Sequence, residues 1–329
     1  MTTFTARSQD LGTIRFARSP AWETLHAVRL FSDPRGRGYH RAWLAIASAS
    51  VRNQGIDLEP LLAVNPMRGS IPDFLTPPPL SPSPYVTDQL VQIRATPDGQ
   101  VAEELRRCLD TLTGRAREIV TAMLADPAAT RDRLADLVEQ AWRHLVEPSW
   151  PEIEALLGAD VAYRSRQLAN RGLRPMIEGL DERIIWADTG IVVNDSFTGA
   201  VDLAGRGLVL MPSAFVWPSI AAVTDEPWQP TIAYPARGIA GLWEKPAPPP
   251  DALVRLLGQT RARILAGLEQ PASTTALAQR HGLSPSGVSR HVLALRDAGL
   301  VTGSRHGHEI RYARTRLGAE LARGPARRS

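Results

Sequence analysis

The stretch from Ser284 to Val301 constrains this chain more than any other, because it marks both ends of a single helix. Ser284 is placed to cap the N-terminus, and Pro285 takes the first helical position, where its missing N–H costs nothing. Gly299 supplies the left-handed residue that ends the helix. Between these ends Val288, Val292 and Leu295 recur at three- and four-residue steps and form a narrow apolar stripe. The N-terminal half of the opposite face carries Ser286, Ser289 and Arg290, while His291 borders the stripe.

The flanking residues complete a unit around this helix. Upstream, Leu256, Leu257, Ile264, Leu265 and Leu268 predict a helix that ends at Gln270-Pro271. A second helix is expected from Thr274 to Arg280 with Leu277 and Ala278 inward, and His281-Gly282-Leu283 turns tightly into the capped helix. Helix, helix, Gly-containing turn and helix is the order of a helix-turn-helix. Downstream, Leu300–Arg305 and Glu309–Arg314 read as strands around a hairpin turn at His306-Gly307-His308, a wing with a basic tip. A last helix, Arg316–Ala322, precedes a basic tail.

Leu257-Gly258, Arg261, Arg263-Ile264-Leu265, Ser284-Pro285, Val288-Ser289-Arg290-His291, Leu295-Arg296 and Ala298-Gly299-Leu300-Val301 resemble the winged helix-turn-helix of ArsR-type transcriptional regulators. The resemblance runs from Leu256 to Gly318 and implies DNA binding. Ser286, Ser289 and Arg290 then face base edges or adjacent phosphates, a geometry suited to the major groove. His291 matches a family position, although its place beside the stripe favours packing. Arg305, His308 and Arg311 on the wing are the expected contacts to the minor groove or backbone. Metal sensing is not implied: Thr274–Arg280 has no cysteine pair, and Arg316–Ala322 offers only Glu320 as a ligand.

Charge is segregated in the same sense. The chain carries +4 overall, yet residues 251–329 hold thirteen arginines against five acidic residues, leaving the first 250 residues net acidic. A concentrated basic module suits phosphate neutralisation by counterion release. A coding bias toward arginine explains why Lys245 is the only lysine, but not this separation of sign. The single cysteine, Cys108, excludes an internal disulfide and sits on a helical pattern as a small core residue. No apolar run reaches the length of a membrane span, and Met1–Asp10 is polar rather than signal-like, so a cytoplasmic address is expected.

Residues 1–245 form the larger domain, and Pro246–Pro250 a short stiff linker. Thr13–Ala17 is a strand candidate, and Ser19-Pro20 opens a helix bearing Trp22, Leu25 and Val28. The proline-rich segment Ile71–Tyr85 reads as a loop packed across the domain through Phe74, Leu75 and Leu80. From Val101 to Arg174 the period is helical. After Pro175 it becomes two: Ile184-Ile185-Trp186 and Ile191-Val192-Val193 predict a hairpin, with further strands at Leu208–Met211, Phe215–Trp217 and Thr231–Tyr234. Gly205-Arg206-Gly207 reads as a strand-joining turn, Glu103-Glu104 and Arg106-Arg107 as exposed helix charge, and His26 and His40 as isolated. His144, Glu147 and Glu139 lack a second histidine at ligand spacing and read as a solvated face. All eight tryptophans lie before residue 245. They read chiefly as core, with a ligand pocket or a dimer interface as the functional alternative.

The expected fold is therefore α+β: a mixed domain of helices and antiparallel strands (1–245), the linker (246–250) and a winged helix-turn-helix (251–329). The expected function is transcriptional regulation as a repressor, by a homodimer reading an inverted repeat in double-stranded DNA. A small-molecule effector would bind the first domain, without cofactor, metal or enzymatic activity. A nucleic-acid-modifying enzyme targeted by its winged helix, and a protein-interaction adaptor, are the alternatives.

Overall fold

In the computed structural model the chain divides into two units, Met1–Trp243 and Glu244–Ser329. The described residues are all but 7–9, 11, 33–36, 67–70, 189, 195–198, 244–248, 269–270, 282, 307–308 and 324–329. Residues 246–248 of the expected linker thus lie outside them.

The first unit opens with two short strands, β1 (Thr2–Thr5) and β2 (Ile14–Phe16). Helix α1 (Pro20–Arg29) follows as its spacing predicts: the Ser19 hydroxyl accepts the Trp22 amide at 3.1 Å, and Trp22, Leu25 and Val28 are buried. Then come α2 (Arg37–Gln54), α3 (Glu59–Ala63), α4 (Val86–Arg94), α5 (Asp98–Leu109), α6 (Gly114–Met123), α7 (Pro127–Ala141), α8 (Trp150–Arg171) and α9 (Leu173–Glu178). The apolar stripes of α1 to α8 converge on one core that includes Leu61, Ile93, Leu105, Leu134, Val138 and Leu157, whereas Met176 and Ile177 of α9 pack with strand residues such as Phe4 and Ile191. Within the proline-rich segment Phe74 and Leu75 are fully buried and the Trp22 indole donates to the Thr76 carbonyl at 2.9 Å. Leu80, expected to pack, is instead 82% exposed.

The remaining strands of this unit are β3 (Ile184–Ala187), β4 (Gly190–Val193), β5 (Gly199–Asp202), β6 (Leu208–Ser213), β7 (Ala221–Val223) and β8 (Thr231–Pro235). They form two four-stranded sheets, ordered β3-β4-β1-β5 and β2-β6-β8-β7. The α+β class holds, but pairing is mixed rather than antiparallel throughout. β3–β4, β1–β4 and β7–β8 are antiparallel, whereas β1–β5, β2–β6 and β6–β8 are parallel. Both faces of β6 are covered, Leu208 and Leu210 in one cluster and Val209 and Met211 in another, which is why its sequence is a continuous apolar run. The Gly205–Gly207 turn joins β5 to β6.

Phe215–Trp217 is not a strand. The Glu23 carboxylate takes the amides of Ala214 and Phe215 at 3.0 and 3.2 Å, so these N–H groups bind a side chain instead of a neighbouring ladder. A second buried ionic group ties α8 to the sheet. Asp160 accepts the Tyr234 hydroxyl at 2.8 Å and the Arg237 amide at 3.2 Å, with Arg164 at 3.6 Å.

Cys108 is 5% exposed, and burial first, then the Glu104 carboxylate, raises its thiol to about 12. Its role is packing. All eight tryptophans are buried or half-buried, and four indoles find specific acceptors: Trp22, Trp43 on the Leu145 carbonyl, Trp228 on Glu104 and Trp243 on His40 Nδ1.

Candidate nucleic-acid interface

The second unit packs around Ile264, Leu265, Leu277, Val288, Val292, Leu295 and Tyr312. Its helices are α10 (Asp251–Leu257), α11 (Gln259–Gly267), α12 (Thr274–His281), α13 (Pro285–Asp297) and α14 (Arg316–Arg323). Strands β10 (Val301–His306) and β11 (Glu309–Arg314) form the wing, and β9 (Ala272–Ser273) adds a third strand in the order β10-β11-β9.

Helix α13 is built as its sequence dictates. The Ser284 hydroxyl accepts the Gly287 amide at 3.1 Å, and Gly299 closes the far end at φ +70°. Val288, Val292 and Leu295 are 0–1% exposed, which fixes the rotation of the helix about its axis. That rotation leaves Ser286, Arg290 and Leu293 exposed on the opposite side, with Ser289 half-buried beside them. Ser286 Oγ lies 3.3 Å from Ser284 Oγ, so one hydroxyl of the expected reading surface also belongs to the cap. His291 is half-buried, in keeping with its position beside the stripe.

The wing distributes its arginines differently from a simple hairpin. A three-residue turn at His306–His308 would oppose Arg305 and Glu309, placing Arg305 and Arg311 on one face. The observed register instead opposes Arg305 and Ile310, and Ser304 and Arg311. Neighbouring residues of a strand point to opposite faces, so Arg305 and Arg311 lie on opposite sides of the wing. Arg305 is exposed and Arg311 half-buried, where β9 pairs Ser273 with it. His308 lies outside the described residues.

Arg314 has another task that the sequence did not suggest. Its Nε donates to the Leu265 carbonyl at 2.8 Å and its guanidinium also reaches the Ala266 carbonyl, capping the C-terminal end of α11. Thr315 is similarly occupied: its hydroxyl donates to the Gly299 carbonyl at 2.7 Å and accepts the Gly318 amide at 3.1 Å. Of the basic groups in this unit, Arg290 and Arg305 are the exposed members of the predicted set.

The first unit places buried polar groups apart rather than in one constellation. Glu104, expected on an exposed face, is 2% exposed and accepts from the Phe74 amide, Gln100 and the Trp228 indole at 2.7–3.0 Å. His40 receives the Trp243 indole at 2.8 Å. His26 is 3% exposed, neither ring nitrogen has a hydrogen-bond partner among the described residues, and burial lowers its pKa to about 3. Among the described residues no three His, Cys, Asp or Glu side chains are grouped to hold a metal ion, and no helix is long and apolar enough to cross a membrane.

Residues 257–303 match a family described as a helix-turn-helix domain, and residues 102–240 match a family of unknown function (DUF5937). No curated protein and no solved structure matches the chain. The helix-turn-helix match supports a DNA-binding transcriptional regulator.

Proposed function

We propose that the chain is a sequence-specific repressor acting as a homodimer in the cytoplasm, its winged helix-turn-helix resembling that of ArsR-type regulators. The observation that carries this reading is α13: a helix capped by Ser284 and locked from behind by Val288, Val292 and Leu295, with Arg290 and Ser286 free of the core at its leading end. Such a helix enters a major groove without rearrangement, and an arginine there can take a guanine edge with two hydrogen bonds. The surplus of thirteen arginines over five acidic residues in 251–329 supplies the phosphate contacts. A two-fold dimer reads an inverted repeat with half-site centres about 10 bp apart. The first unit serves sensing and assembly rather than catalysis and takes a small-molecule effector.

Genomic footprinting followed by titration of the recovered operator tests this reading. Arg290→Ala is expected to weaken operator binding by about 1–3 kcal/mol at fixed salt and to relax preference at one base position. Equal loss on operator and random DNA would reassign Arg290 to a phosphate. Arg305→Ala and Arg311→Ala separate two wing geometries. A hairpin inserted edge-on into the minor groove engages both faces, so each variant lowers the salt slope by about 1; a wing laid flat responds to only one. Footprinting that recovers no discrete sites would sink the proposal.

A further inference from the structure

Helix α13 turns one face away from the core, and the side chains on that face differ in chemistry. At 3.6 residues per turn, Ser286, Arg290, Leu293 and Asp297 fall within an arc of about 60°. All four are exposed, and the arc lies opposite Val288, Val292 and Leu295, which are 0–1% exposed. Ser286 Oγ is shared with the helix cap through Ser284 Oγ at 3.3 Å. Arg290 is the group assigned above to a guanine edge. Asp297 holds Arg296 at 3.2 Å and closes the arc with a carboxylate. Phosphates repel that carboxylate, so on a duplex the C-terminal end of α13 is the end that tilts out of the groove. Leu293, one turn earlier, is the last side chain of the arc placed to enter it.

Leu293 is 36% exposed, an apolar side chain set between an arginine and an aspartate. The core of this unit takes its neighbours Val292 and Leu295 but not Leu293, so packing within the unit does not account for a leucine here. The chemistry of the side chain narrows what it can meet in a major groove. Leucine neither donates nor accepts a hydrogen bond. Against guanine, adenine or unmethylated cytosine it would strip water from ring nitrogens, carbonyls or amino groups and return nothing. Thymine is the base whose major-groove edge carries an apolar group, its 5-methyl. Along the helix axis Leu293 stands about 4.5 Å from Arg290, against a rise of about 3.4 Å per base pair. The base it reaches therefore lies one or two base pairs from the guanine.

We propose that Leu293 is a specificity-determining residue that reads the 5-methyl group of a pyrimidine, a thymine in each half-site one or two base pairs from the guanine taken by Arg290. The assignment rests on the DNA-reading role proposed for α13. 5-Methylcytosine presents the same methyl group in the major groove, so methylating a cytosine at that position strengthens binding.

Titration of the full chain on the operator recovered by footprinting, with deoxyuridine replacing each thymine in turn, tests the assignment. Uracil keeps the pairing and the hydrogen-bonding groups of thymine and lacks only the methyl. One replacement per half-site, beside the Arg290 guanine, is expected to weaken binding about fourfold, the worth of one buried methyl group. Leu293→Ala should erase the difference between thymine and uracil at that position and leave the guanine preference in place. The readout is a ratio of affinities of one protein for two DNAs, so a change in the folded fraction cancels from it. With cytosine at the same position, 5-methylation should strengthen binding by about the same factor, and only when Leu293 is present. The assignment is overturned if no thymine methyl matters, if a methyl effect survives Leu293→Ala, or if that variant loses equally on operator and random DNA. A discrete operator with its guanine preference intact and no Leu293-dependent methyl effect removes this assignment alone. Footprinting without discrete sites removes the regulator reading and this one with it.

Discussion

Gly318→Ala should destabilise the winged helix-turn-helix by about 3 kcal/mol, at the upper end of overpacking costs, and abolish DNA binding. A Cβ at Gly318 would sit 2.0 Å from the Leu300 carbonyl oxygen and 3.0 Å from its carbon. Neither side can yield cheaply. The Leu300 carbonyl accepts the Thr315 amide at 3.0 Å, and the Gly318 amide is bound by the Thr315 hydroxyl at 3.1 Å. Relief of the clash therefore lifts the start of α14 from Leu300 and breaks the bonds by which the Thr315 amide and hydroxyl hold the Leu300 and Gly299 carbonyls. Gly299→Ala is the informative contrast. At φ +70° it carries backbone strain, but nothing lies within 4 Å of its Cβ, so about 1–2 kcal/mol is expected. Urea unfolding of the full chain checks the pair. Tryptophan fluorescence reports only on the first unit, which holds all eight indoles, while far-UV circular dichroism also reports the second. Equal losses for the two variants would show that the Leu300 contact is not what excludes a side chain at Gly318.

Between pH 4.5 and pH 7.5, Glu23→Gln should gain on the natural chain by on the order of 3 kcal/mol in relative stability. Burial pushes the Glu23 carboxyl up to about 7, although hydrogen bonds from Ser213, Ala214 and Phe215 pull it down. The folded chain thus holds this proton more tightly than the unfolded chain. The associated stability is fully present below about pH 4.5 and is lost as pH rises through about 7. Asp73, raised to about 7 by burial and by the Glu104 carboxylate, acts in the same direction. His26 and His40 act oppositely: burial lowers them to about 3 and about 4, so their contribution is present above about pH 6.5 and fades below it. The four groups offset one another between about pH 4.5 and 6.5, where a plateau in stability is expected. Removing Glu23 tilts that plateau upward with pH. Urea titrations followed by tryptophan fluorescence at several pH values measure the tilt; a pH-independent difference between variant and natural chain would contradict it.

The winged helix is legible in the sequence because its determinants are local. Ser284, Pro285 and Gly299 mark the ends of α13 within the helix's own neighbourhood, and the stripe of Val288, Val292 and Leu295 needs only a periodicity of 3.6 to be read. The strand β9 is not legible. Ala272 and Ser273 become a strand only because Tyr312 and Arg311 pair with them. β1 is likewise defined by partners far along the chain, Gly190–Val193 on one side and Gly199–Asp202 on the other. Glu104 shows the same limit for charge. Beside Glu103, Arg106 and Arg107 it reads as solvated, and it becomes a buried acceptor only when Phe74 and Trp228 arrive from other parts of the fold.

By itself the sequence determined a basic helix-turn-helix module with a wing, set apart from a net acidic partner, and marked which face of α13 packs inward and which stays clear of the core. Those properties follow from caps, periodicity and charge, which act over a few residues or need no contacts at all. Tertiary structure decided which charged groups remain available. Pairing register moved Arg311 to the face opposite Arg305, Arg314 was drawn into capping α11, and Glu104 was taken up by the Phe74 amide and the Trp228 indole. The physical reason is that a side chain's freedom depends on what packs beside it, and that is set by partners distant in sequence.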